Sequence, residues 1–240
     1  RSGRTIVAPR LILDPAMSKR KLVVLLSGGL DSSANLALAA EQDQPVLALT
    51  VNYGQRAVFA EIRAARKIAE YYGVEHRVIE IPWLGQLGGS ALTDSGVDVP
   101  KLGANVLDER AVTEKSAKAV WVPNRNGVLI NIAAALAEAR EAQGVVVGFN
   151  REEAATFPDN TETYMNQATE ALKFSTANHV QVVCYTVRMD KREIVQTVLN
   201  LRKPFPWDLI WSCYHAGEVA CGECESCQRL KRALQYRGKK

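Results

Sequence analysis

Histidine is scarce in this sequence, with three among 240 residues, and aromatic residues make up only 7%. We find no Ser-His-Asp or Cys-His arrangement, so a mechanism that depends on an activated serine or cysteine nucleophile is not expected. Long apolar runs are also missing, since none reaches the roughly 20 residues that a membrane-spanning helix requires. The sequence therefore gives no sign of a membrane partner.

A large excess of charge of either sign is absent as well. The 30 Lys and Arg residues against 26 Asp and Glu residues give a formal net charge of +4, a mildly basic balance that does not by itself imply nucleic acid. The last segment, QRLKRALQYRGKK at residues 228–240, could touch nucleic acid, but a solvated helix end is the favoured interpretation. A nucleic-acid partner is therefore not expected.

The remaining composition is that of a globular protein, with 47% hydrophobic and 23% charged residues. Residues 1–18 are expected to be a tag or a disordered N-terminal extension, because Met17 can serve as a natural start and no signal-peptide core precedes it. We expect residues 19–206 to form one domain and residues 207–240 to form a small C-terminal segment.

Five short apolar runs are typical of strands that are buried on both faces of a parallel sheet. Stretches of helical length separate most of them, and this alternation predicts an α/β fold with a doubly wound, mainly parallel five-stranded sheet. The predicted strands are residues 21–26, 45–53, 76–82, 145–150 and 179–187.

The segments between the strands carry further signals. Gly73 is expected to end the second helix, and Asp190 is expected to cap the helix that follows the fifth strand. Residues 83–120 are rich in glycine and have no clear period, so we predict an irregular connection, which at this length is usually functional or mobile. Ligands of such sheets bind beyond the carboxyl ends of the strands, where residues 27–33 and 148–159 fall.

The segment Ser-Gly-Gly-Leu-Asp-Ser-Ser at residues 27–33 joins the first predicted strand to the first helix. Gly28 and Gly29 allow backbone amides to approach an anion closely, and the helix that follows directs its positive end at the same place. The segment is neither a Walker A loop nor a Gly-x-Gly-x-x-Gly dinucleotide fingerprint. We predict a phosphate site of another kind, in preference to a glycine-rich turn without function.

Cysteine is used unevenly, since four of the five cysteines fall in the tail with the spacing C-x₇-C-x₂-C-x₂-C. This spacing suits four thiolates around one Zn²⁺, a closed structural site that stabilises a tail too short to form its own core. An iron–sulfur cluster uses the same ligands and stays open at this point. His215 could also bind the metal, and Cys184 is expected to be a buried core residue. The predicted metal ligands are Cys213, Cys221, Cys224 and Cys227.

Residues 27–33 resemble the Ser-Gly-Gly-x-Asp-Ser pattern of the ATP pyrophosphatases, which bind the phosphates of ATP while a substrate oxygen is adenylated and pyrophosphate leaves. With the segments NYGQRAVFAEIRAARKIA, VWVPNRNGVLINIAA and SCYHAGEVACGECESCQR, the chain resembles the 7-cyano-7-deazaguanine synthase family from about Lys21 to Arg232. The cysteine tail and VPNRN at residues 122–126 are the most specific parts of this resemblance.

The resemblance implies an ATP-dependent carbon–nitrogen ligase. ATP with Mg²⁺ would adenylate 7-carboxy-7-deazaguanine, ammonia would displace AMP to give an amide, and a second activation would remove water to give the nitrile. It also implies one structural Zn²⁺ per chain, a homodimer and a cytoplasmic location. Adenylation turns a carboxylate oxygen into a leaving group, so such an enzyme acts mainly by positioning and charge neutralisation.

Residue roles follow from the resemblance and from position along the chain. The predicted catalytic residues are Asp31 for phosphate or its metal, Arg125 for phosphate or the substrate carboxylate, and Lys191 for phosphate. The predicted ATP-binding residues are Ser27, Gly28, Gly29, Leu30, Asp31, Ser32 and Ser33, with Asn52, Tyr53 and Gln55 near the adenine. The predicted substrate-binding residues are Arg125, Asn126, Gly148, Glu153, Phe157 and Asp159.

The sequence departs from the family pattern after the fourth strand. In GFNREEAATFPDN, residues 148–160, Asn150 and Arg151 replace Cys and Glu, and Glu153 stands where Asp is usual; Asn124 likewise replaces a glycine. A related enzyme that adenylates a different carboxylate, or modifies a tRNA or protein, is therefore an alternative. A non-catalytic zinc-ribbon module that binds nucleotide is a third interpretation, which the intact loop at residues 27–33 disfavours.

Overall fold

The structure is a computed structural model that describes residues 19–103, 106–107 and 109–237. The N-terminal extension predicted at residues 1–18 and the last three residues of the basic C-terminal segment lie outside the described residues. Within the described part, no helix has the length and apolar character needed to cross a membrane.

Five parallel strands form one sheet in the order β3-β2-β1-β4-β5, which confirms the predicted architecture. The central strand β1 pairs with both β2 and β4, so the strand order changes direction beside β1. In sheets of this kind, ligands bind in the crevice at that point, beyond the carboxyl ends of the strands. The strands are β1 (Lys21–Leu25), β2 (Gln44–Asn52), β3 (His76–Glu80), β4 (Gly144–Val146) and β5 (Gln181–Val183).

Eight α-helices occur among the described residues, and several of them connect the strands. Helices α1 and α2 contribute to the apolar core on one face of the sheet, and α4 and α6 to that on the other. The helices are α1 (Leu30–Gln42), α2 (Val58–Tyr72), α3 (Arg110–Ala119), α4 (Arg125–Ala139), α5 (Arg151–Ala154), α6 (Glu162–Ser175), α7 (Lys191–Leu199) and α8 (Glu225–Leu234).

The side chains of β1 alternate between the two faces of the sheet, as they must in an extended strand. Val23 packs into the core formed with α4 and α6, whereas Leu22 and Val24 pack into the core formed with α1 and α2. All three are fully buried. Burial on both faces explains the continuous apolar run of this strand. The helices on both faces make the sheet doubly wound.

Residues 83–120, predicted to be an irregular connection, contain a helical segment near each end, so that prediction was wrong for those two parts. A 3₁₀ helix spans Pro82–Leu87, and α3 follows near the end of the segment. The residues that α3 buries are Thr113, Ser116 and Ala117. Small and polar residues of this kind make no apolar stripe, which is why the sequence did not show a helical period there.

Both predicted helix ends are confirmed. Gly73 ends α2 in the left-handed conformation, with φ of 70°. At the start of α7, the Asp190 side chain accepts a hydrogen bond from the Glu193 amide at 2.8 Å, and the Glu193 side chain accepts one from the Asp190 amide at 2.8 Å. This capping box satisfies two backbone donors that the helix itself cannot satisfy.

The C-terminal tail packs against two parts of the molecule. Cys213, Cys224 and Cys227 belong to an apolar cluster with Leu92 and Val120 of the segment between β3 and α4, and Ala233 of α8 joins a cluster with residues of α1 and α7. The tail and the long connection therefore cover the edge of the sheet at which the strands end.

Candidate active site and metal centre

A cavity of about 300 Å³ lies at the carboxyl ends of β1, β2 and β4. Its walls come from the loop at residues 27–33, which we term the phosphate loop after its predicted role, the end of β2, the starts of α4 and α7, the segment after β4, and the C-terminal tail. Predicted site residues that line it are Ser27, Gly29, Leu30, Asp31, Ser32, Tyr53, Gln55, Arg125, Asn126, Gly148, Glu153, Phe157 and Lys191. Residues from six separate parts of the sequence therefore meet in one place.

Two glycines allow the phosphate loop to pack tightly between its neighbours. Gly28 has φ of +84°, and a Cβ atom there would lie 2.7 Å from Cβ of Ala64 on α2. A Cβ atom on Gly148, after β4, would lie 2.9 Å from the amide nitrogen of Ser32. Larger residues at either position would displace the loop, so these glycines hold it against the start of α1.

The hydroxyl groups of the loop form a connected set. Oγ of Ser27 lies 3.1 Å from Oγ of Ser32 and accepts a hydrogen bond from the Gly29 amide at 3.3 Å. The first backbone amides of α1 have no partner within the helix and point toward the same region. Hydroxyls and amides at the positive end of a helix make a suitable cradle for phosphate. Oγ of Ser33 is buried and has no hydrogen-bond partner among the described residues.

Lys191, the first residue of α7, lies beside the phosphate loop. Its Nζ atom is 2.6 Å from Oδ2 of Asp31 and 3.0 Å from Oε1 of Glu153. Burial raises the pKa of Asp31 to about 6, against the attraction of Lys191. Although burial disfavours its charge, the pKa of Lys191 is raised by the two carboxylates, so the lysine is a fixed cation beside the phosphate loop.

Glu153 was predicted to bind substrate, and the structure places it in this ion pair. Burial opposes its ionisation, but Lys191 lowers the pKa of Glu153. Asn150 caps α5, since its side chain accepts a hydrogen bond from the Glu153 amide at 3.0 Å. Arg151 makes salt bridges with Asp190 at 2.9 Å and with Glu193. The unusual residues of this loop thus have structural roles beside the start of α7.

Arg125 begins α4 and lines the cavity. Burial disfavours its charge, but Tyr53 and Asp159 raise its pKa. Nδ2 of Asn126 donates to the backbone oxygen of Asp159 at 3.4 Å. Asn124 precedes the helix with φ of 50°, a left-handed conformation that asparagine tolerates better than most residues, so its replacement of a glycine leaves the local backbone intact.

Some predicted site residues lie off the cavity wall. Asn52 is used locally, since its Oδ1 accepts a hydrogen bond from the Gly54 amide at 3.1 Å. Phe157 lines the cavity and stacks on Trp121, with ring centroids 6.3 Å apart. The predicted residues that do not line the cavity are Gly28, Ser33, Asn52 and Asp159.

The C-terminal tail contributes to the cavity wall, which was not predicted from the sequence. Arg229 of α8 makes a salt bridge with Glu225 at 2.8 Å and lies 3.6 Å from Glu152 of α5. Glu152 in turn accepts a hydrogen bond from the Lys191 amide at 2.9 Å. Only the spacing of Glu225 and Arg229, four apart on one helix, was visible in the sequence. Cavity-lining residues that were not predicted include Glu61, Glu152, Trp211, Tyr214, Glu225 and Arg229.

The four tail cysteines form a site that fits one metal ion. Their sulfur atoms all lie within 4.8 Å of one another, and those of Cys221 and Cys227 are 3.9 Å apart. A tetrahedral site with Zn–S bonds near 2.3 Å needs sulfur atoms about 3.8 Å apart. Backbone amides of His215 and Cys221 point at the sulfur of Cys213, each at 3.4 Å, as expected around a thiolate. The described cysteines form no disulfide.

Cys184 lies apart from this cluster and is partly buried. Its sulfur lies 3.3 Å from the backbone oxygen of Phe149 and 3.6 Å from Oγ1 of Thr186. Burial raises the pKa of this thiol. Its surroundings are those of a structural cysteine, in line with the prediction.

We compared the chain with known protein families and with individual proteins. The sequence profile of the family described as queuosine biosynthesis protein QueC matches residues 21–238. The chain is 51% identical over 216 residues to the 7-cyano-7-deazaguanine synthase of Desulforamulus reducens, which covers 90% of this chain and 94% of that protein. It is 50% identical over 216 residues to the enzyme of the same name from Bdellovibrio bacteriovorus, with 90% and 93% covered.

Among solved structures, the NMN synthetase of Francisella tularensis is similar with a TM-score of 0.43 and 14% identity, covering 92% of this chain and 85% of that one.

Proposed function

Because the chain belongs to the QueC family of queuosine biosynthesis proteins, we propose that it makes 7-cyano-7-deazaguanine from 7-carboxy-7-deazaguanine and ammonia as an AMP-forming, ATP-dependent ligase. The observation that carries the proposal is the meeting of the phosphate-loop hydroxyls, Lys191 and Arg125 around one cavity. This cavity offers cations and backbone donors to two anionic substrates.

The chemistry requires two activations. A substrate carboxylate oxygen attacks the α-phosphorus of ATP, pyrophosphate leaves, and ammonia then displaces AMP to give the amide. The amide oxygen attacks a second ATP in the same way, and loss of AMP with two protons gives the nitrile. Each oxygen of the original carboxylate leaves on AMP, so no protein nucleophile is required.

In this proposal, the phosphate loop and Lys191 bind the β- and γ-phosphates as they leave. Ser27, Ser32 and the start of α1 supply neutral donors, and Lys191 supplies a fixed charge. Donors and charges that are already in place stabilise a developing anion without reorganisation. If Mg²⁺ accompanies ATP, Asp31 is its natural protein ligand, because Oδ1 of Asp31 has no hydrogen-bond partner among the described residues.

In this proposal, Arg125 acts at the reacting end of the substrates. It lines the cavity and is electrostatically coupled to Tyr53 and Asp159. We infer that it attracts the substrate carboxylate and then stabilises the charge on the α-phosphate of the adenylate. A guanidinium can bind either anion through two parallel hydrogen bonds, which orients the reacting oxygen as well as neutralising it.

Residues of the C-terminal tail form part of the cavity wall. We propose that metal binding by the four cysteines stabilises this tail. The set of four thiolates fits Zn²⁺, one per chain, and a bound Zn²⁺ would serve as a structural cross-link with no open coordination position. It would join Cys213 to the turn that begins α8, which carries Arg229 into the cavity wall. A homodimer and a cytoplasmic location stay predictions from the family resemblance.

The contacts of residues 148–160 do not favour an alternative substrate over 7-carboxy-7-deazaguanine. Asn150 caps α5 and Arg151 pairs with the start of α7, so both departures serve the backbone around the phosphate site. Neither residue indicates a carboxylate substrate other than 7-carboxy-7-deazaguanine.

The proposal is tested by incubating the zinc-loaded protein with ATP, Mg²⁺, ammonium and 7-carboxy-7-deazaguanine and identifying the products by mass spectrometry. We expect AMP, pyrophosphate and 7-cyano-7-deazaguanine, each dependent on the deazaguanine acid. AMP with another carboxylate but none with this one would refute the substrate assignment and leave the ATP chemistry in place.

A further inference from the structure

Glu61 differs from the other acidic residues of the cavity. Four of the five carboxylates that line the cavity in the described part of the chain make salt bridges with Lys191, Arg229 or Arg232. Glu61 makes none within 4.0 Å among the described residues. The five carboxylates are those of Asp31, Glu61, Glu152, Glu153 and Glu225.

Gln55 holds the Glu61 side chain in one orientation. Its Nε2 atom donates to Oε2 of Glu61 at 2.9 Å and to the backbone oxygen of Val51 at 3.1 Å. Its Oε1 atom accepts from the Tyr53 amide at 3.0 Å. The reversed amide would place oxygen against oxygen at Val51 and nitrogen against nitrogen at Tyr53, so the orientation is fixed by its partners.

The Glu61 carboxylate can accept more hydrogen bonds than Gln55 supplies. Glu61 is partly buried, and a carboxylate that is withdrawn from water costs free energy unless cations or hydrogen-bond donors compensate it. Gln55 supplies one donor to one oxygen. Burial accordingly raises the pKa of Glu61, while Gln55 and Arg125 lower it. A ligand that brings two donors side by side would satisfy the carboxylate and keep it ionised.

We propose that Glu61, positioned by Gln55, recognises the N1–H and 2-amino donors of the deazaguanine ring. This inference rests on the proposed function. The ring presents these two donors next to each other on one edge, which matches the two acceptor oxygens of a carboxylate. The edge of adenine that carries its amino group presents an acceptor beside it, so the same carboxylate would oppose adenine. Glu61 therefore selects the substrate ring.

The assignment agrees with the position of Arg125. Glu61 and Arg125 line the same cavity and influence one another electrostatically. The deazaguanine acid carries its donor edge on the pyrimidine ring and its carboxylate on the five-membered ring. An acidic group and a basic group in one cavity complement these two features of the substrate.

The test uses full-length, zinc-loaded protein and the variant Glu61→Gln, which places an amide donor where the second carboxylate oxygen was. We expect KM for 7-carboxy-7-deazaguanine to rise by about 10- to 100-fold and KM for ATP to change by less than about threefold. Glu70→Gln, an exposed position on the same helix, is the matched control and should retain both values. Glu61→Asp keeps the charge and should recover part of the loss.

A substrate analogue that lacks the 2-amino group separates recognition from a general structural effect. The wild-type protein should use this analogue about 10- to 100-fold less well than the natural acid, whereas Glu61→Gln should discriminate between them by less than about threefold. Calorimetric titration of the acid provides the same comparison if the variant turns over too slowly.

Two results would overturn the inference. One is equal discrimination against the analogue by both proteins, and the other is a rise in KM for ATP alone, which would assign Glu61 to the ribose hydroxyls or the adenine. If Glu61→Gln does not fold, failure of the wild-type protein to discriminate against the analogue still refutes the inference. Failure of the proposed function shows separately, as absence of AMP when the wild-type protein is given the natural acid, and the inference then falls with it.

Discussion

The Nζ atom of Lys191 lies 2.6 Å from Oδ2 of Asp31 although the two residues are 160 positions apart in the sequence. Asp31 is in the first turn of α1 and Lys191 is the first residue of α7. The contact therefore brings the positive ends of two helices together beside the cavity, where both favour a bound anion. Phosphate groups that enter must compete with Asp31 for the lysine, so the pair connects ATP binding to the protonation of the site.

Replacement of Lys191 by methionine keeps most of the side-chain volume and removes the charge. We expect kcat/KM for ATP to fall by about 100-fold or more, because a fixed cation beside the leaving phosphates is lost. Steady-state release of pyrophosphate measures this. Lys173→Met, at an exposed position that pairs with Glu170, should behave like the wild-type protein. Activity within a factor of two of the wild type in Lys191→Met would remove this residue from the mechanism.

Asp31 should make the free energy of unfolding decrease as pH rises from about 4 to about 6. Its pKa is raised by burial from 3.8 to about 6, so its contribution to folding is fully present below the lower value and is lost as pH rises through the higher one. The free energy of unfolding of the wild-type protein, minus that of Asp31→Asn, should therefore fall between about pH 4 and pH 6 and then level off.

Denaturant titrations of both proteins at a series of pH values check this prediction. Effects of the metal site are common to the two proteins and cancel in the difference. A difference that rises across the same interval would show that Lys191 dominates the energy of Asp31 and that burial does not.

Cys224→Ser should abolish stoichiometric metal binding and destabilise the fold. The four sulfur atoms form one closed site, and loss of a structural zinc is among the most destabilising single changes, with an expected cost of about 3 kcal/mol or more. Metal analysis of the purified protein and thermal unfolding measure the two effects. Cys184→Ser, outside the cluster, should keep one zinc per chain. One zinc per chain in Cys224→Ser, or iron in place of zinc in the wild type, would refute the assignment.

Gly148→Ala should damage the phosphate loop without removing any polar side chain. The added Cβ atom would lie 2.9 Å from the amide nitrogen of Ser32, so the start of α1 must shift. We expect a loss of stability of about 1–3 kcal/mol and a fall in kcat/KM of about 10- to 100-fold. In the control Gly96→Ala, the added atom meets only the tip of the Asp94 side chain, and activity should be unchanged. Normal ATP kinetics in Gly148→Ala would show that the loop tolerates the shift.

The structural features that could be predicted are those determined by residues close together in the sequence. The apolar run of β1 and the helix-ending Gly73 are read from neighbouring residues, and the structure contains both elements. The cysteine spacing likewise predicts a turn that gathers several thiolates, and the four sulfur atoms lie together.

The parts that could not be predicted depend on partners distant in the chain. Helix α3 buries small and polar residues, and Ser116 bonds to Glu225, 109 positions away. Glu61 and Arg229 occupy ordinary positions on amphipathic helices, where charged residues are usually solvated. They become site residues only because α2 and α8 fold over the same edge of the sheet. Neither residue carries a local pattern that would identify it.

In the proposed reaction both oxygens of one carboxylate leave on AMP, and transfer of an oxygen isotope can follow them. The enzyme is given 7-carboxy-7-deazaguanine with ¹⁸O in both carboxylate oxygens, together with ATP and ammonium, and the products are weighed by mass spectrometry. Our account predicts two AMP for each nitrile formed, each AMP carrying one ¹⁸O atom in its phosphate. Recovery of ¹⁸O in inorganic phosphate with formation of ADP, or unlabelled AMP, would contradict it.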